Sequence, residues 1–282
     1  MNSSVCFDDV LLVPQFSDIV SRKEIDLVSC LDSKNRFRLP VISSPMDTVT
    51  GHEMARAMSD LGGLGIIHRY NTVADQVAMV NRALESEYPE GNEVVGVAIG
   101  VSGDYLKRAS LAAKAGAKVI CVDIAHGHHA LMRHALKTLR NTLGNCVHIM
   151  AGNVATLEAF NDLSDWGADS IRVGIGGGSI CSTRIQTGHG MPTLQSVIDC
   201  ARSDRDVALI ADGGIRTSGD IVKALAAGAD FVMLGSLLAG TEESPADTVF
   251  AKGGQRKVYR GMASKDAQLE WRGHAASEEG VS

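Results

Sequence analysis

Eight short apolar runs, separated by stretches with helical patterning, constrain this chain more than any other feature. The runs are Leu39 to Ser44, Leu64 to His68, Val94 to Gly100, Val119 to Ala125, Val147 to Asn153, Ser170 to Gly176, Ala208 to Gly214 and Phe231 to Ser236. Each is too short for a typical helix and lacks strict alternation, the pattern of strands covered on both faces in a parallel sheet. Between them lie seven helix-like stretches, 51–62, 72–84, 104–116, 128–144, 156–167, 193–203 and 217–228. Thr72, Asp104, Thr156 and Thr217 stand where helix caps belong, and several stretches close on glycine. One junction recurs as Ala-Gly-Ala117, Trp-Gly-Ala168 and Ala-Gly-Ala229, each leading into a run. There the glycine stops a helix and the alanine packs at the turn.

Eight strands with seven crossovers predict a single-domain (β/α)₈ barrel, for which about 250 residues is typical. A doubly wound sheet is the alternative use of the same elements. The barrel demands an eighth helix after Ser236, yet residues 239–282 are polar and glycine-rich, with no long apolar stripe. That helix is therefore expected to be missing from this chain, its place taken by sequence beyond Ser282 or by a neighbouring subunit. Residues 1–38 are expected to cap the bottom of the barrel or to reach across to a neighbour.

Composition narrows the function. The chain has 30 glycines and 6 prolines, where average usage in 282 residues would give about twenty and about fourteen, so the glycines need a role. A net charge of −6 speaks against a nucleic-acid coat but permits a local phosphate pocket. Six cysteines are scattered without C-x-x-C spacing, which suits a reduced compartment. With no signal peptide and no long uncharged apolar run, no membrane association is expected and a cytoplasmic location is.

In a barrel, ligand groups belong at the C-terminal ends of the strands, with phosphate favouring the last two loops. The fourth run offers Asp123 there, followed by His126, His128 and His129; the fifth ends in Gly152-Asn153, the seventh in Asp212-Gly213-Gly214 and the eighth in Gly235-Ser236. The sixth runs into Gly174-Ile-Gly-Gly-Gly-Ser-Ile-Cys-Ser-Thr-Arg184. Successive glycines let backbone groups approach a ligand or a monovalent cation. Cys181, just beyond, is a candidate nucleophile with Thr183 placed to help proton transfer; a buried, inert cysteine is the competing reading. Packed thiols are expected at Cys6, Cys30, Cys121, Cys146 and Cys200. The histidines lack the spacing of a zinc site and an acidic partner one turn away. Asp123 is the better functional candidate, as an acceptor for a cofactor ribose, and Met46 and Asp47 also face the mouth.

Six segments carry a resemblance: Phe7-Asp-Asp-Val-Leu-Leu-Val-Pro14, Ser44-Pro-Met-Asp-Thr-Val-Thr50, Met150-Ala-Gly-Asn-Val154, Gly176-Gly-Gly-Ser-Ile-Cys181, Ala211-Asp-Gly-Gly-Ile215 and Tyr259-Arg-Gly-Met262. In this order they resemble the IMP dehydrogenase and GMP reductase family nearly end to end. The resemblance implies a barrel of this kind, assembled as a homotetramer, and a cysteine bonded to purine C2. The dehydrogenase passes hydride from IMP to NAD and hydrolyses the adduct; the reductase expels ammonia from GMP and takes hydride from NADPH. Here the regulatory pair of CBS modules that most dehydrogenases insert is absent, since only a loop runs from Glu85 to Glu93. The segment Cys181 to Pro192 resembles the reductase pattern, and no Arg-Tyr pair for water activation stands between Ser264 and Glu279. Conversely, Ser43 to Thr50, Gly62 to His68 and Asp123 to His128 resemble bacterial dehydrogenases. The reductase is the favoured expectation, the dehydrogenase the alternative, and a non-catalytic nucleotide-binding homologue the second alternative.

By resemblance, Cys181 is the nucleophile and Thr183 with Glu279 the proton relay. Ser179, Asp212, Gly213, Gly214, Gly235, Ser236, Gly261, Met262 and Ala263 would hold the nucleotide. Ser21, Arg22, Arg69, Asp123, Ile124, Ala125, Ile175 and Gly176 would meet the dinucleotide, the two arginines favouring NADPH. Carbonyls of Gly176, Gly178 and Cys181 would hold K+. Two departures stand out: Gly177 replaces a common proline, which should loosen the cation loop, and Ala263 replaces a serine or glycine.

Overall fold

In a computed structural model, residues 4–85 and 93–273 are described. A short antiparallel pair, β1 (Ser29–Cys30) and β2 (Arg36–Phe37), precedes the barrel. The barrel strands are β3 (Val41–Ser43), β4 (Leu64–Ile67), β5 (Val95–Ile99), β6 (Val119–Asp123), β7 (His148–Val154), β8 (Ser170–Val173), β9 (Ala208–Asp212) and β10 (Phe231–Leu234). All eight pair in parallel in chain order, and β10 closes the ring on β3. Around them lie α1 (His52–Asp60), α2 (Val73–Leu84), α3 (Tyr105–Lys114), α4 (Ala130–Leu143), α5 (Leu157–Asp165), α7 (Thr193–Cys200) and α8 (Ser218–Ala226), with the five-residue α6 (Thr183–Thr187) preceding α7. The expected (β/α)₈ barrel is the fold. Each strand falls within its apolar run except β7, which runs one residue further, to Val154. The run ends that drop out, among them Gly174 to Gly176, Gly213-Gly214 and Gly235-Ser236, become loops at the mouth.

The recurring junction is one hydrogen-bonding device used three times. The N–H groups of Ala117, Ala168 and Ala229 donate back to Ala112, Leu163 and Ala224 at 3.0, 3.1 and 3.1 Å. Gly116, Gly167 and Gly228 take φ of 108°, 110° and 109°, a conformation that a Cβ disfavours. The next residue then enters the barrel: the N–H groups of Lys118, Asp169 and Asp230 donate to the starts of neighbouring strands, at Val95, Ile149 and Leu209. Thr72, Thr156 and Thr217 cap their helices as expected. Asp104 does not; its carboxylate pairs with Arg108 at 3.1 Å instead.

Two layers of apolar packing hold the barrel. Ile42, Leu64, Ile66, Met150, Ile210 and Met233 fill the interior, and Phe37 and Phe231 meet there edge to face at 5.7 Å. Alternate strand residues such as Ile67, Val97 and Val173 face the helices. Phe7 joins this outer layer, with its carbonyl held by Lys223. Residues beyond β10 form an exposed hairpin, β11 (Thr248–Ala251) and β12 (Gly254–Lys257), and then α9 (Lys265–Arg272). Trp271 of α9 stacks on Tyr70 at 5.9 Å, so α9 lies at the mouth and does not occupy the eighth outer position. The cysteine expectation is half corrected. Cys121 and Cys200 are buried, and burial pushes each thiol up to about 12. Cys6, Cys30 and Cys146 are exposed, in a terminal turn, a two-residue strand and an αβ loop that no helix covers.

Below β7, Asp32 accepts from buried His148 at 2.6 Å, whose other ring nitrogen meets Ser170 at 2.7 Å. Burial raises the Asp32 pKa, but hydrogen bonds from His148, Asn35 and the N–H groups of Lys34 and Asn35 outweigh it and hold the carboxyl well below its ordinary range. A depressed folded-state value stabilises the fold above the unfolded value of about 4 and loses that contribution as pH falls below it. Asp32→Asn should therefore melt below wild type at pH 7, with the gap narrowing from about pH 4 downwards. Calorimetric melting at pH 7 and at about pH 2, below the unfolded value, checks this; a gap that widens in acid contradicts it.

Candidate active site

A cavity of about 350 Å³ opens at the C-terminal mouth of the barrel, a size that suits a small-molecule site. The run ends converge on it. Cys181, Thr183 and Ser179 come from the loop after β8, Asp212, Gly213 and Gly214 from β9, and Gly235 with Ser236 from β10. Gly261, Met262 and Ala263 return from the segment after β12, while Arg69, Asp123, Ile124, Ala125, Ile175, Gly176 and Gly178 complete the lining. Ser21 and Arg22 are not brought there; they lie on the exposed segment between Phe7 and β1. Glu279 lies outside the described residues.

Cys181 is half-buried, and its thiol donates to Thr183 Oγ1 at 3.3 Å. Thr183 opens α6, a helix of five residues, too short to leave a periodicity in the sequence. The preceding turn is tied by the Cys181 N–H to Gly178 carbonyl bond at 3.1 Å, and Ile175 pairs with Met191 across the loop. A proton-accepting hydroxyl therefore sits beside a reachable thiol on a braced loop, which suits nucleophilic addition to an electron-poor carbon.

Gly177 stands in this loop for a steric reason. A Cβ there would lie 2.2 Å from Thr193 Oγ1, a buried hydroxyl with no partner among the described residues. Gly177→Ala should cost about 1–3 kcal/mol, as overpacking does. Adding Thr193→Ala should recover most of it, and denaturant titration of the single and double variants tests the pairing; equal losses in both would refute it.

The electrostatic centre is a residue that the sequence reading missed. Arg172, on β8 and 6% exposed, holds Asp123 at 2.5 Å and Asp212 at 2.8 Å, and its Nη1 also reaches the Cys121 sulfur at 3.4 Å. Burial disfavours its charge, but Asp212 and Asp123 outweigh that and raise its pKa well above the ordinary value. Asn153 adds a 2.8 Å bond to the same oxygen of Asp212. Tyr259, part of the Tyr259 to Met262 segment, also lines the mouth. Its hydroxyl is raised in pKa mainly by burial, with Asp212 adding and Ser179 opposing through a hydrogen bond, so it stays neutral beside these two residues at the mouth.

Two of the three histidines after Asp123, His128 and His129, do structural work. His128 pairs with Asp162 of α5 at 2.8 Å and stacks on Trp166, and His129 caps α4. The acidic partner absent one turn away comes from another helix. Among the described residues no cluster of three His, Cys, Asp or Glu side chains could hold a metal. Among the described residues Arg69 Nε is buried with no hydrogen-bond partner, 3.9 Å from Asp123, so a donor for an anionic group stands at this side of the mouth.

Known proteins place this arrangement. The family model described as IMP dehydrogenase / GMP reductase domain matches residues 4–280. The chain is 39% identical to the inosine-5'-monophosphate dehydrogenase of Cryptosporidium parvum, over 95% of this chain and 76% of that one. It is 34% identical to the dehydrogenase of Nitrosopumilus maritimus, covering 93% and 80%, and 32% identical to the GMP reductase of Leishmania donovani, also covering 93% and 80%. With the barrel, the Cys181 loop and this match over nearly its whole length, the chain belongs to the IMP dehydrogenase / GMP reductase family of oxidoreductases.

Proposed function

We propose that the chain is a GMP reductase, converting GMP and NADPH to IMP, ammonia and NADP+ through a bond between Cys181 Sγ and purine C2. The observation that carries this reading is the 3.3 Å contact of Cys181 with Thr183 at the mouth, within a segment, Cys181 to Pro192, of reductase pattern. Sγ adds to C2 while its proton passes to Thr183. The exocyclic amine leaves as ammonia once protonated through Thr183, with Glu279 the second member of the relay, because an unprotonated amine is a poor leaving group. A bound nicotinamide supplies hydride to C2. The C–S bond then breaks, its electron pair returns to sulfur, and IMP is released.

Other residues bind and orient. Asp212, fixed by Arg172 and Asn153, accepts from the ribose diol. Ser179, Gly213, Gly214, Gly235, Ser236 and Tyr259 bind the phosphate, and Gly261 to Ala263 face the purine. Arg69 Nε is suited to a charge-assisted bond with a 2′-phosphate, favouring NADPH. The carbonyls of Gly176, Gly178 and Cys181 are neutral oxygen donors of the type K+ takes. Gly178 spends one lone pair on the Cys181 N–H and keeps another. Large exposed side chains between Phe7 and β1, Phe16 at 95% and Val20 at 91%, support a homotetramer in which a neighbour covers them and receives Ser21 and Arg22. A cytoplasmic location accords with the reduced cysteines, and no described helix is long and apolar enough to cross a membrane.

The second reading is an IMP dehydrogenase, favoured by the segment Asp123 to His128. Incubation with GMP and NADPH, then with IMP and NAD, separates the readings by mass spectrometry of the nucleotides. IMP and ammonia from GMP support the reductase, and XMP from IMP overturns it. Nucleotide binding without turnover in either mixture makes the chain a non-catalytic homologue.

A further inference from the structure

In the segment Tyr259 to Ala263, four residues line the mouth cavity and one does not. Tyr259, Gly261, Met262 and Ala263 face it, while Arg260 turns into a neighbouring cavity of about 370 Å³ between the barrel rim and α9. The segment has no regular structure of its own, so its position must come from contacts. Arg260 places Nε and Nη2 at 3.1 and 2.6 Å from Asp47 Oδ2, and Nη2 at 2.5 Å from Glu270 of α9. Met46 lines the mouth as its place after β3 predicts, but Asp47 turns into this second cavity instead; Asp47 is 10% exposed, Arg260 16% and Glu270 71%. The Asp47 contact therefore dominates, because an exposed ion pair contributes little.

Weaker ties converge on the same seam. The Asp47 N–H meets Met262 Sδ at 3.3 Å, Tyr70 donates to the Met262 carbonyl at 2.6 Å, and Gln268 of α9 donates to the Ala263 carbonyl at 2.8 Å. Asp47 Oδ1 and His68 Nδ1 are buried in that second cavity with no partner among the described residues. Among the described residues Arg260 is thus the one cation paired with Asp47 there, and its loss leaves a buried carboxylate uncompensated.

We propose that Arg260, anchored on Asp47, is a positioning residue for nucleotide binding, seating the Gly261–Ala263 backbone against the mouth without touching substrate. The inference rests on the reading above that Gly261 to Ala263 hold the purine nucleotide. Asp47 ties this segment to β3, so the purine-facing backbone is set by the first strand of the barrel as well as by the last.

The test is nucleotide protection of Cys181 against iodoacetamide, read by mass spectrometry of its peptide, with GMP and IMP assayed separately. Unprotected alkylation reports the thiol and its loop; protection reports nucleotide seating. If neither nucleotide protects the wild type, the functional reading itself fails. Given protection, the half-protecting concentration should rise about tenfold or more in Arg260→Gln and in Asp47→Asn, less in Arg260→Lys, and little further in the double variant, as residues of one pair are non-additive. Unprotected alkylation should stay at the wild-type rate, and kcat at saturating nucleotide within about threefold, because a positioning loss falls on KM. Should Arg260→Gln fail to fold, Arg260→Lys and Asp47→Asn carry the comparison. Unchanged half-protection in both, or a fall in kcat with affinity unchanged, overturns the proposal.

Discussion

Cys181→Ala should abolish turnover of purine nucleotide, by at least about a thousandfold in kcat, because a nucleophile that forms the covalent intermediate has no substitute. Binding should survive. The side chain is half-buried on a loop braced by backbone bonds from Gly178 and Ile175, and truncating it leaves Asp212, Ser179 and the glycine loops in place. Calorimetry should therefore find nucleotide affinity within a few-fold of wild type, beside a complete loss of hydride transfer. Cys181→Ser should fare little better, since a hydroxyl is a far weaker nucleophile without a strong base, and among the described residues only the Thr183 side chain stands at hydrogen-bond distance of the thiol. The two buried cysteines offer no alternative nucleophile: burial holds the Cys121 and Cys200 thiols protonated, at about 12. Residual turnover above a hundredth of wild type in Cys181→Ala would remove the covalent mechanism.

The barrel was legible because its signals are local. Gly116, Gly167 and Gly228 mark three helix ends through one backbone conformation, and the apolar runs mark strands buried on two faces. Most of the mouth residues followed from the rule that strand ends carry ligands. What escaped depends on contacts distant in sequence. The hairpin of β11 and β12 is almost wholly exposed and leaves no apolar alternation to read. The partner of His128 comes from α5, 34 residues away. Ser21 and Arg22 were expected at the cofactor by resemblance alone, and within one chain they lie on the exposed segment before β1 and do not line the mouth cavity. Arg172 did carry a signal that went unread. It is the only Lys or Arg in the eight apolar runs, and Asp123 and Asp212 are their only carboxylates. A charge in a strand covered on both faces needs partners, and within the eight runs these three are the only opposite charges that could meet.

That pairing makes Arg172 the residue whose loss should affect the fold and the site together. Arg172→Met keeps the volume but removes the cation between Asp123 and Asp212, whose side chains are 20% and 13% exposed. Removing one partner of a buried ionic cluster costs about 3–5 kcal/mol, which for a domain this large lowers the melting temperature by roughly 5–15 °C. On the proposed role of Asp212 at the ribose, nucleotide binding should weaken as well, since Arg172 Nε and Nη2 both hold the Asp212 oxygen that Asn153 also holds and their loss frees that carboxylate to move. The two effects can be separated by neutralising the cluster as a whole. Arg172→Met with Asp123→Asn and Asp212→Asn should regain much of the melting temperature, because no uncompensated charge remains, while nucleotide affinity stays lost. Recovery of both would mean that the charges serve the fold alone. A single variant that melts with wild type would mean that the cluster holds neither.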